Sequence, residues 1–393
     1  MKRAHTRVQR LAKTDAPLSE FRTAVSLHSH TNCSQEKLDF LPRYIEFHRI
    51  PVVTPLIKSE LKKYEEKNGK ALDFGRAYWT PPVNPRMVFE SETEQIRNLG
   101  LTAFVSITDH DTIAAPLWLR AKMPDIWSPL SVEWSVPFGG NVFHMGVHNL
   151  PPNRASEIMD ELAHCTANPS PERIGDLFAM LQGFADLLIV FNHPCCNFVR
   201  VGAKKHWASL RQFVAMYGQW IHGLELNGMR PWIENEQVQH LAGVYDMPMV
   251  AGGDRHGCAP NAMLNLSHDE TWGEFVARIR VDRQNDILIL PEYEEPIRVR
   301  ELATAADVLR RYPHHPPGQR RFTDRIFGEV EGYSWHPLSF YWDGGDGQPC
   351  WLSPVVSAVV AIGSDSFRPI LRCLFSRGGP NYSSEATSTL MES

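Results

Sequence analysis

The sequence predicts an α/β fold built on a parallel sheet, and three observations support this class. Apolar stretches of strand length alternate with amphipathic stretches of helix length along most of the 393 residues, which is typical of strands joined by helical crossovers. The run Asp186–Phe191 is almost continuously apolar, as in a strand covered on both faces. Most predicted strands end in His, Asp or Glu, as expected when a (β/α) barrel has its site at the carboxyl ends of its strands.

Composition narrows the class of protein. A chain of 393 residues suits one large domain with appendages, or two domains. The 43% hydrophobic and 22% charged content is ordinary for a globular protein. The net charge of -5 gives no basic field, so we expect no structural nucleic-acid binding and no membrane-surface role. A nucleotide substrate is still compatible with this charge, because a metal site supplies its own positive charge.

The cysteines and the apolar stretches predict a cytoplasmic location. The seven cysteines have no framework spacing, which favours reduced thiols. The basic N-terminus lacks the apolar run of a signal peptide, and the apolar patch Val355–Ile362 is too short to span a bilayer. We expect no membrane partner, and the sequence does not indicate an oligomeric state.

The first predicted elements surround a long insertion. Residues 1–20 are predicted to be a mobile polar arm, followed by a strand that carries His28 and His30. The proline-rich segment 38–95 contains a charged helix and is interpreted as an insertion or lid beside the carboxyl end of that strand. Further strands are predicted at 101–108, 129–135 and 141–147, with a Gly139–Gly140 turn between the last two.

The remaining elements complete the barrel and leave an extension. Helices are predicted at 155–165, 171–185, 207–217, 233–245 and 269–280, and strands at 186–191, 221–226, 248–253 and 287–290. Beyond about Arg300 the pattern ends, so 301–393 is predicted to be a loosely ordered C-terminal extension. Its apolar stretch 351–375 is expected to dock on the core. The predicted domains are therefore the arm 1–20, the barrel 21–300 and the extension 301–393.

Ligand-type side chains follow the predicted strands. Strand alternation puts His28 and His30 on one face, about 7 Å of backbone apart, where both can reach one metal ion. Two histidines with this spacing are by themselves a weak signal. Later strand ends, however, add more N and O donors of the type that suits Zn, Mn or Fe. These are His110, Glu133, His144, His193, Asp254 and His256.

The ordered set resembles the PHP (polymerase and histidinol phosphatase) family of metal-dependent phosphoesterases over roughly residues 22–295. The resemblance implies a distorted, TIM-like (β/α)7 barrel, two or three divalent metal ions (Zn, Mn or Fe), and phosphoester hydrolysis. The matching motifs are Leu27–Thr31, Ile107–Asp111, Glu133 with Phe143–Val147, Asn192–Pro194 and Gly253–His256.

The resemblance implies three metal sites. The first would take His28, His30, Glu133 and Asp254, and Glu133 would bridge to a second that takes His144 and His193. The third would take His110, His256 and a ligand from the loop after His30. The family usually has Asp or His in that loop, whereas this chain has Gln35 followed by Glu36. Either Glu36 is the ligand, which we prefer, or the third metal binds loosely.

The implied chemistry is hydrolysis by a metal-bridged hydroxide. Two cations that share a water lower its pKa from about 15.7 towards about 7 and neutralise the phosphoryl oxygens. Asp109 and Asp111 flank His110 and are candidates for orienting imidazoles or delivering protons, with solvated loop aspartates as the alternative. We assign catalytic roles to Glu133, Asp254, Asp109 and His256, and substrate binding to Arg230, Arg255 and Lys204.

The leading hypothesis is a hydrolase that acts on a phosphomonoester, a nucleotide or a short oligonucleotide. Two alternatives stay open: a polynuclear metal hydrolase of carboxylic esters or amides, and a non-catalytic regulatory protein with a PHP-like fold. Three further interpretations concern neighbours of the site. His148 is interpreted as structural or supporting, Glu225 as facing the site or supporting a ligand, and Cys195 with Cys196 as small buried residues.

Overall fold

The computed structural model describes residues 2–11, 18–42, 46, 53–330, 334–342 and 348–375. Its strands are β1 His5–Arg10, β2 Thr23–Leu27, β3 Glu36–Lys37, β4 Ala77–Trp79, β5 Thr102–Ser106, β6 Val132–Phe138, β7 Asn141–His148, β8 Leu188–Asn192, β9 Gly223–Asn227, β10 Met249–Gly252, β11 Met263–Ser267, β12 Gln284–Ile289, β13 Ile326–Val330 and β14 Ser334–Pro337. Its helices are α1 Val53–Asn68, α2 Pro85–Asn98, α3 Ala114–Lys122, α4 Ala155–Ala167, α5 Pro171–Gln182, α6 Ala203–Tyr217, α7 Trp232–Tyr245, α8 Trp272–Ala277, α9 Ile297–Leu309, α10 Leu338–Tyr341, α11 Leu352–Ile362 and α12 Arg368–Phe375.

The described strands form three sheets of mixed direction, so the α/β class is confirmed, whereas the predicted parallel pairing holds for only some of the strands. The strand orders are β1-β12-β11-β2-β5, β10-β9-β8-β7-β6 and β14-β13-β4-β3. Strands β6 and β7 are antiparallel because only Gly139 and Gly140 separate them, both with positive φ, and so short a loop joins only antiparallel neighbours. Strand β11 is antiparallel to both β2 and β12.

The two five-stranded sheets meet at two seams and, in the part of the chain described, do not form one continuous barrel ladder. At one seam the backbone N–H of Gly253 donates to the carbonyl of Leu27 at 2.9 Å. At the other, the N–H of Glu133 donates to the carbonyl of Asp109 at 3.1 Å. Both seams lie just beyond or at strand ends that carry predicted ligands, so the junction of the sheets is also where those side chains meet.

A buried asparagine links β10 to the other sheet. The side chain of Asn265 accepts from the N–H of Ala251 at 2.7 Å and donates to its carbonyl at 2.8 Å. It also donates to the carbonyl of Val25 at 3.2 Å. An amide side chain thus satisfies backbone groups that a neighbouring strand would otherwise satisfy, as buried polar groups require.

The largest core lies between the second sheet and helices α4, α5 and α6. Trp134 of β6, Phe178 of α5 and Phe213 of α6 are fully buried there, and the Phe178 ring contacts the rings of Trp134 and Phe213 edge-on. Burying each such ring contributes about 2–3 kcal/mol. This packing fixes β6 and β7, the strands that carry Glu133 and His144.

The described residues of the predicted arm and of the extension are more ordered than predicted. His5–Arg10 is not a mobile arm but a strand parallel to β12, where Arg7 pairs with Asp286 at 2.6 Å. The extension is not loosely ordered over its described residues, since it contains α9, α11, α12 and the hairpin β13–β14. Two of its polar stretches, 343–347 and 376–393, lie outside the described residues.

The proline-rich insertion and the extension share one sheet. Strand β4 of the insertion pairs with β13 and with β3, which contains Glu36. The last part of the insertion, α2, packs Val88 and Ile96 against the first sheet and serves as the helix between β2 and β5. Neither pairing has a sequence signal, because β3 and β4 are only two and three residues long and the second partner of β4, β13, lies about 250 residues further along the chain.

Segment 351–375, which was expected to dock on the core, packs largely on helix α9, most of which belongs to the extension itself. A β-carbon on Gly363 would lie 2.5 Å from Ala306 Cβ, so the end of α11 closely approaches α9. Arg372 of α12 pairs with Glu295 at 2.9 Å. No helix among the described residues is long and apolar enough to cross a bilayer.

Candidate metal centre

His28 and His30 converge because of the backbone beyond β2, not because of strand alternation. Strand β2 ends at Leu27, and His28 has a φ of 65°, an uncommon value outside glycine that is found at functional sites. The seam holds this turn, since the His28 carbonyl accepts from Asp254 N–H at 2.7 Å and His30 N–H donates to the Arg255 carbonyl at 2.9 Å. The two imidazole centroids are 5.1 Å apart.

Glu133 lies at the middle of the histidine cluster. Its side chain is fully buried and extends from β6, which the core packing holds in place. Its two carboxylate oxygens therefore each face a different group of imidazoles. Five histidine nitrogens lie 3.1–3.4 Å from these oxygens: His28 Nε2, His30 Nε2 and His110 Nε2 around Oε2, and His144 Nδ1 and His193 Nε2 around Oε1.

Asp254 faces the same histidines from the opposite seam. Its Oδ1 lies 3.6 Å from Nε2 of both His28 and His30, and 3.5 Å from Nδ1 of His256. Asp254 also has a positive φ, 50°, directly after β10. A left-handed residue at each of these two strand ends turns both side chains into the space between the sheets.

Glu36, and not Gln35, points into the cluster. Gln35 is exposed, whereas Glu36 is buried and accepts from Ser34 Oγ at 2.6 Å. The Glu36 carboxylate lies 3.2 Å from His110 Nε2 and 3.4 Å from His256 Nε2. The pairing of β3 with β4 holds Glu36 opposite Trp79, whose ring lies 5.9 Å from that of His256.

The donor set fits metal ions. Ligands that bind one ion tetrahedrally at about 2.0–2.2 Å lie roughly 3.3–3.6 Å apart, close to the spacings above. Four of these buried atoms have no hydrogen-bond partner within the described structure, as expected of atoms that face an ion: His28 Nε2, His30 Nε2, Glu133 Oε2 and His144 Nδ1. The sets whose donor atoms lie within 4.8 Å of one another are His30, Glu36, His110 and His256; His28, Glu133 and His193; His28, His30 and Asp254; and His110, Glu133 and His144.

Electrostatics keep the carboxylates ionised. Burial alone would raise the pKa of Glu133, but the charges of His28 and His110 outweigh it and hold that pKa well below its usual range. The pKa values of Glu36 and Asp254 are likewise well below their usual range, again because neighbouring histidines outweigh burial. Burial lowers the pKa of His30 to about 4, which leaves its imidazole neutral and able to coordinate.

The two aspartates beside His110 face the protein. Asp109 is fully buried and accepts from the N–H of Thr31 at 2.5 Å and from its hydroxyl at 2.7 Å. Burial raises the pKa of Asp109 to about 7. Asp111 accepts from the N–H of Ser135 at 2.8 Å. Asp109 therefore stabilises the turn after His30 through hydrogen bonds. The catalytic role assigned to Asp109 stays a prediction.

The three predicted substrate cations have different surroundings. Arg230 lies at the edge of the cluster, with Nη2 3.6 Å from Asp254 Oδ2. Arg255 is buried with its guanidinium bonded to Ser91 Oγ at 2.8 Å and to backbone carbonyls, so it braces the loop after β10. Lys204 is exposed in the first turn of α6. Of the three, Arg230 is the one whose ion pair joins the cluster.

Three residues near the histidines have contacts whose partners could not be read from the sequence, although Glu225 and His148 were predicted to have supporting roles. Glu225 Oε1 lies 2.5 Å from His28 Nδ1, and Glu225 Oε2 accepts from the N–H of His193 at 2.7 Å. Asn192 donates to Glu133 Oε1 at 2.9 Å. The available signals were the position of Glu225 at a strand end and of Asn192 directly before His193. His148 is buried beside Ser106 at 2.8 Å, which fits a supporting role.

Comparisons with known proteins are sparse. No protein-family model matches the chain, and no curated protein matches it. A candidate metal-dependent phosphoesterase from Bifidobacterium adolescentis is similar at 17% identity over 52% of this chain and 92% of that one, with a TM-score of 0.31. PsfC from Pseudomonas syringae is similar at 12% identity over 72% of this chain and 98% of that one, with a TM-score of 0.40. Both TM-scores are too low to define a shared fold.

Proposed function

We propose that this protein is a PHP-type, metal-dependent phosphoesterase that holds two or three divalent ions between the two sheets, in a distorted barrel. The observation that supports this most is Glu133, a fully buried carboxylate with five histidine nitrogens within 3.4 Å of its oxygens. A buried anion in such a setting is typical of a bridging ligand. The proposed substrate is a phosphomonoester, a nucleotide or a short oligonucleotide.

The chain's own residues have distinct roles in this proposal. His28, His30 and Asp254 would hold the first ion, His144 and His193 would hold the second, and Glu133 would serve both. His110, His256 and Glu36 would hold the third. When bound, divalent ions supply an ionised water and charge neutralisation for phosphoryl transfer to that water. Arg230, at the edge of the cluster, is placed to donate to a phosphate oxygen.

Metal removal and one substitution test this function. Full-length protein treated with a chelator should lose phosphatase activity and regain it with Mn²⁺ or Zn²⁺. Glu133→Gln should lower kcat by several orders of magnitude, whereas Glu157→Gln, an exposed change on α4, should not alter it. Near-normal turnover by Glu133→Gln would reject the assignment.

The same protein separates the alternatives. A parallel screen of carboxylic esters and amides would favour a different hydrolase if those were cleaved and phosphoesters were not. Fewer than two ions per chain, together with no hydrolysis of either class, would favour a non-catalytic role.

A further inference from the structure

A large cleft extends from the metal centre across the carboxyl ends of four strands. Its volume is about 1230 Å³, and it is lined by residues that follow β1, β9, β10 and β12. Gly253 and His256 form its boundary with the metal centre, and helices α9 and α12 of the extension line its far side. In α/β proteins, ligands bind at this end of the strands.

The lining of this cleft is basic in a protein whose net charge is -5. It includes three glutamates, Glu292, Glu294 and Glu295, and neither lysine nor aspartate among the described residues. Arginines outnumber glutamates in this lining, although Glu92 and Asp365, which lie outside it, pair with Arg255 and Arg368. Arginine is the residue type that binds phosphate in a forked geometry. The arginines are Arg10, Arg255, Arg298, Arg300, Arg368 and Arg372.

Two of these arginines, Arg298 and Arg300, make no direct ion pair with a carboxylate within the described structure. Arg300 is buried and donates to the backbone carbonyls of Gly228 and Glu295. Arg298 is exposed, and its guanidinium lies 5.8 Å from the ring centroid of Phe375. Arg298 and Arg300 are two residues apart at the start of α9. In contrast, Glu295 pairs with Arg372 at 2.9 Å.

We propose that this cleft binds the non-reacting part of the substrate and that this part carries a second phosphate group, which Arg298 contacts. The inference rests on the proposed function and narrows it to phosphoesters with two or more phosphates. A pocket of about 300–1,000 Å³ suffices for a drug-sized ligand, so the cleft is larger than a simple monoester needs. The proposal also gives α9 and α12 a role, since both line the cleft.

Fructose 1,6-bisphosphate and fructose 6-phosphate are matched probes that differ by one phosphate. With Mn²⁺-loaded full-length protein, we expect kcat/KM for the bisphosphate to exceed that for the monophosphate at least tenfold. Arg298→Gln should lower this ratio about tenfold, because one charged hydrogen bond is lost. Arg298→Lys should restore part of it, and Arg211→Gln, an exposed change on α6 outside the cleft, should leave it unaltered.

Calorimetric binding of the two probes separates the two proposals. If neither probe is hydrolysed, the proposed function fails for these esters, yet tighter binding of the bisphosphate that Arg298→Gln abolishes would still support the cleft. The cleft proposal would be overturned if both probes bound with equal affinity. It would also be overturned if Arg298→Gln left the ratio of their kcat/KM values unchanged.

Discussion

The Glu225 carboxylate and the His28 imidazole form a buried pair, with Oε1 2.5 Å from Nδ1. This contact places the proton on Nδ1 and leaves Nε2 directed towards Glu133 and Asp254. The second oxygen of Glu225 accepts from the backbone of His193. One carboxylate therefore contacts two histidines that the proposed function assigns to different ions, as partners of metal-bound imidazoles commonly do.

Glu225→Gln should weaken metal binding about 10- to 100-fold, because an amide cannot match the carboxylate as a partner of His28 Nδ1. The measurement is metal content by elemental analysis after dialysis against graded chelator. Glu157→Gln, exposed on α4, is the control. Unchanged retention in Glu225→Gln would show that this carboxylate does not orient the ligand.

Gly252→Ala should cause a similar loss without altering any polar side chain. A β-carbon at Gly252 would lie 1.6 Å from Glu225 Oε1, so the carboxylate would have to leave His28. Gly243→Ala on α7 is the matched control, since a β-carbon there meets nothing within 4 Å. Metal content of both variants is compared with the wild type, and equal content in all three would contradict the expectation.

Glu36→Gln should reduce the number of tightly bound ions by one, because Glu36 is the carboxylate between His110 and His256. Gln35→Ala should leave the number unchanged, since Gln35 is exposed. Elemental analysis of both variants and of the wild type measures the number of bound ions per chain. The opposite result would mean that the loop changes its register when metal binds.

Asn265→Leu should lower the free energy of unfolding by about 3 kcal/mol or more. The substitution leaves the N–H and carbonyl of Ala251 without their side-chain partners, and each buried unsatisfied group costs about 1–3 kcal/mol. Urea unfolding measures the change. Asn153→Leu, at an exposed turn position, should change stability by less than about 0.5 kcal/mol.

Acid should destabilise the protein partly through His222. Burial, aided by the Arg280 charge, lowers the pKa of His222 to about 3, and its ring accepts from Ile189 N–H at 2.9 Å. Between about pH 6.5 and pH 3 the unfolded chain therefore binds this proton and the folded chain does not. Stability from this group falls by about 1.4 kcal/mol per pH unit on acidification below 6.5.

His222→Gln should flatten the decrease in the free energy of unfolding between pH 6.5 and pH 5 by about 2 kcal/mol relative to wild type. His240→Gln, an exposed change on α7, should leave the slope unaltered. Urea unfolding in the presence of chelator, at several pH values, measures both slopes. Parallel slopes for wild type and His222→Gln would contradict the assignment.

Most of the candidate ligands were predictable because they lie at or shortly beyond the end of a clear strand, and a strand end limits where a side chain can lie. Glu133 and His144 instead lie within β6 and β7, and Glu36 lies in the short strand β3. The geometry that joins them was not predictable. His28 and Asp254 turn inward through positive φ angles, which residue type does not reveal. The antiparallel insertion of β11 was also missed, since its run Met263–Ser267 is short and follows no turn with a known type. Glu225 was noticed, but its distance from His28 depends on the pairing of distant strands.

The small sheet of β3, β4, β13 and β14 has a consequence for the order in which the chain acquires its ligands. During synthesis, Glu36 and Trp79 leave the ribosome early. Ile326, which pairs with Trp79, emerges only after all the candidate metal ligands have been made. A nascent chain can therefore gather His28, His30 and Glu133 before the strand that carries Glu36 has its full set of neighbours. The candidate metal centre would therefore be completed in stages, and the position of Glu36 would become fixed only after the C-terminal region has folded.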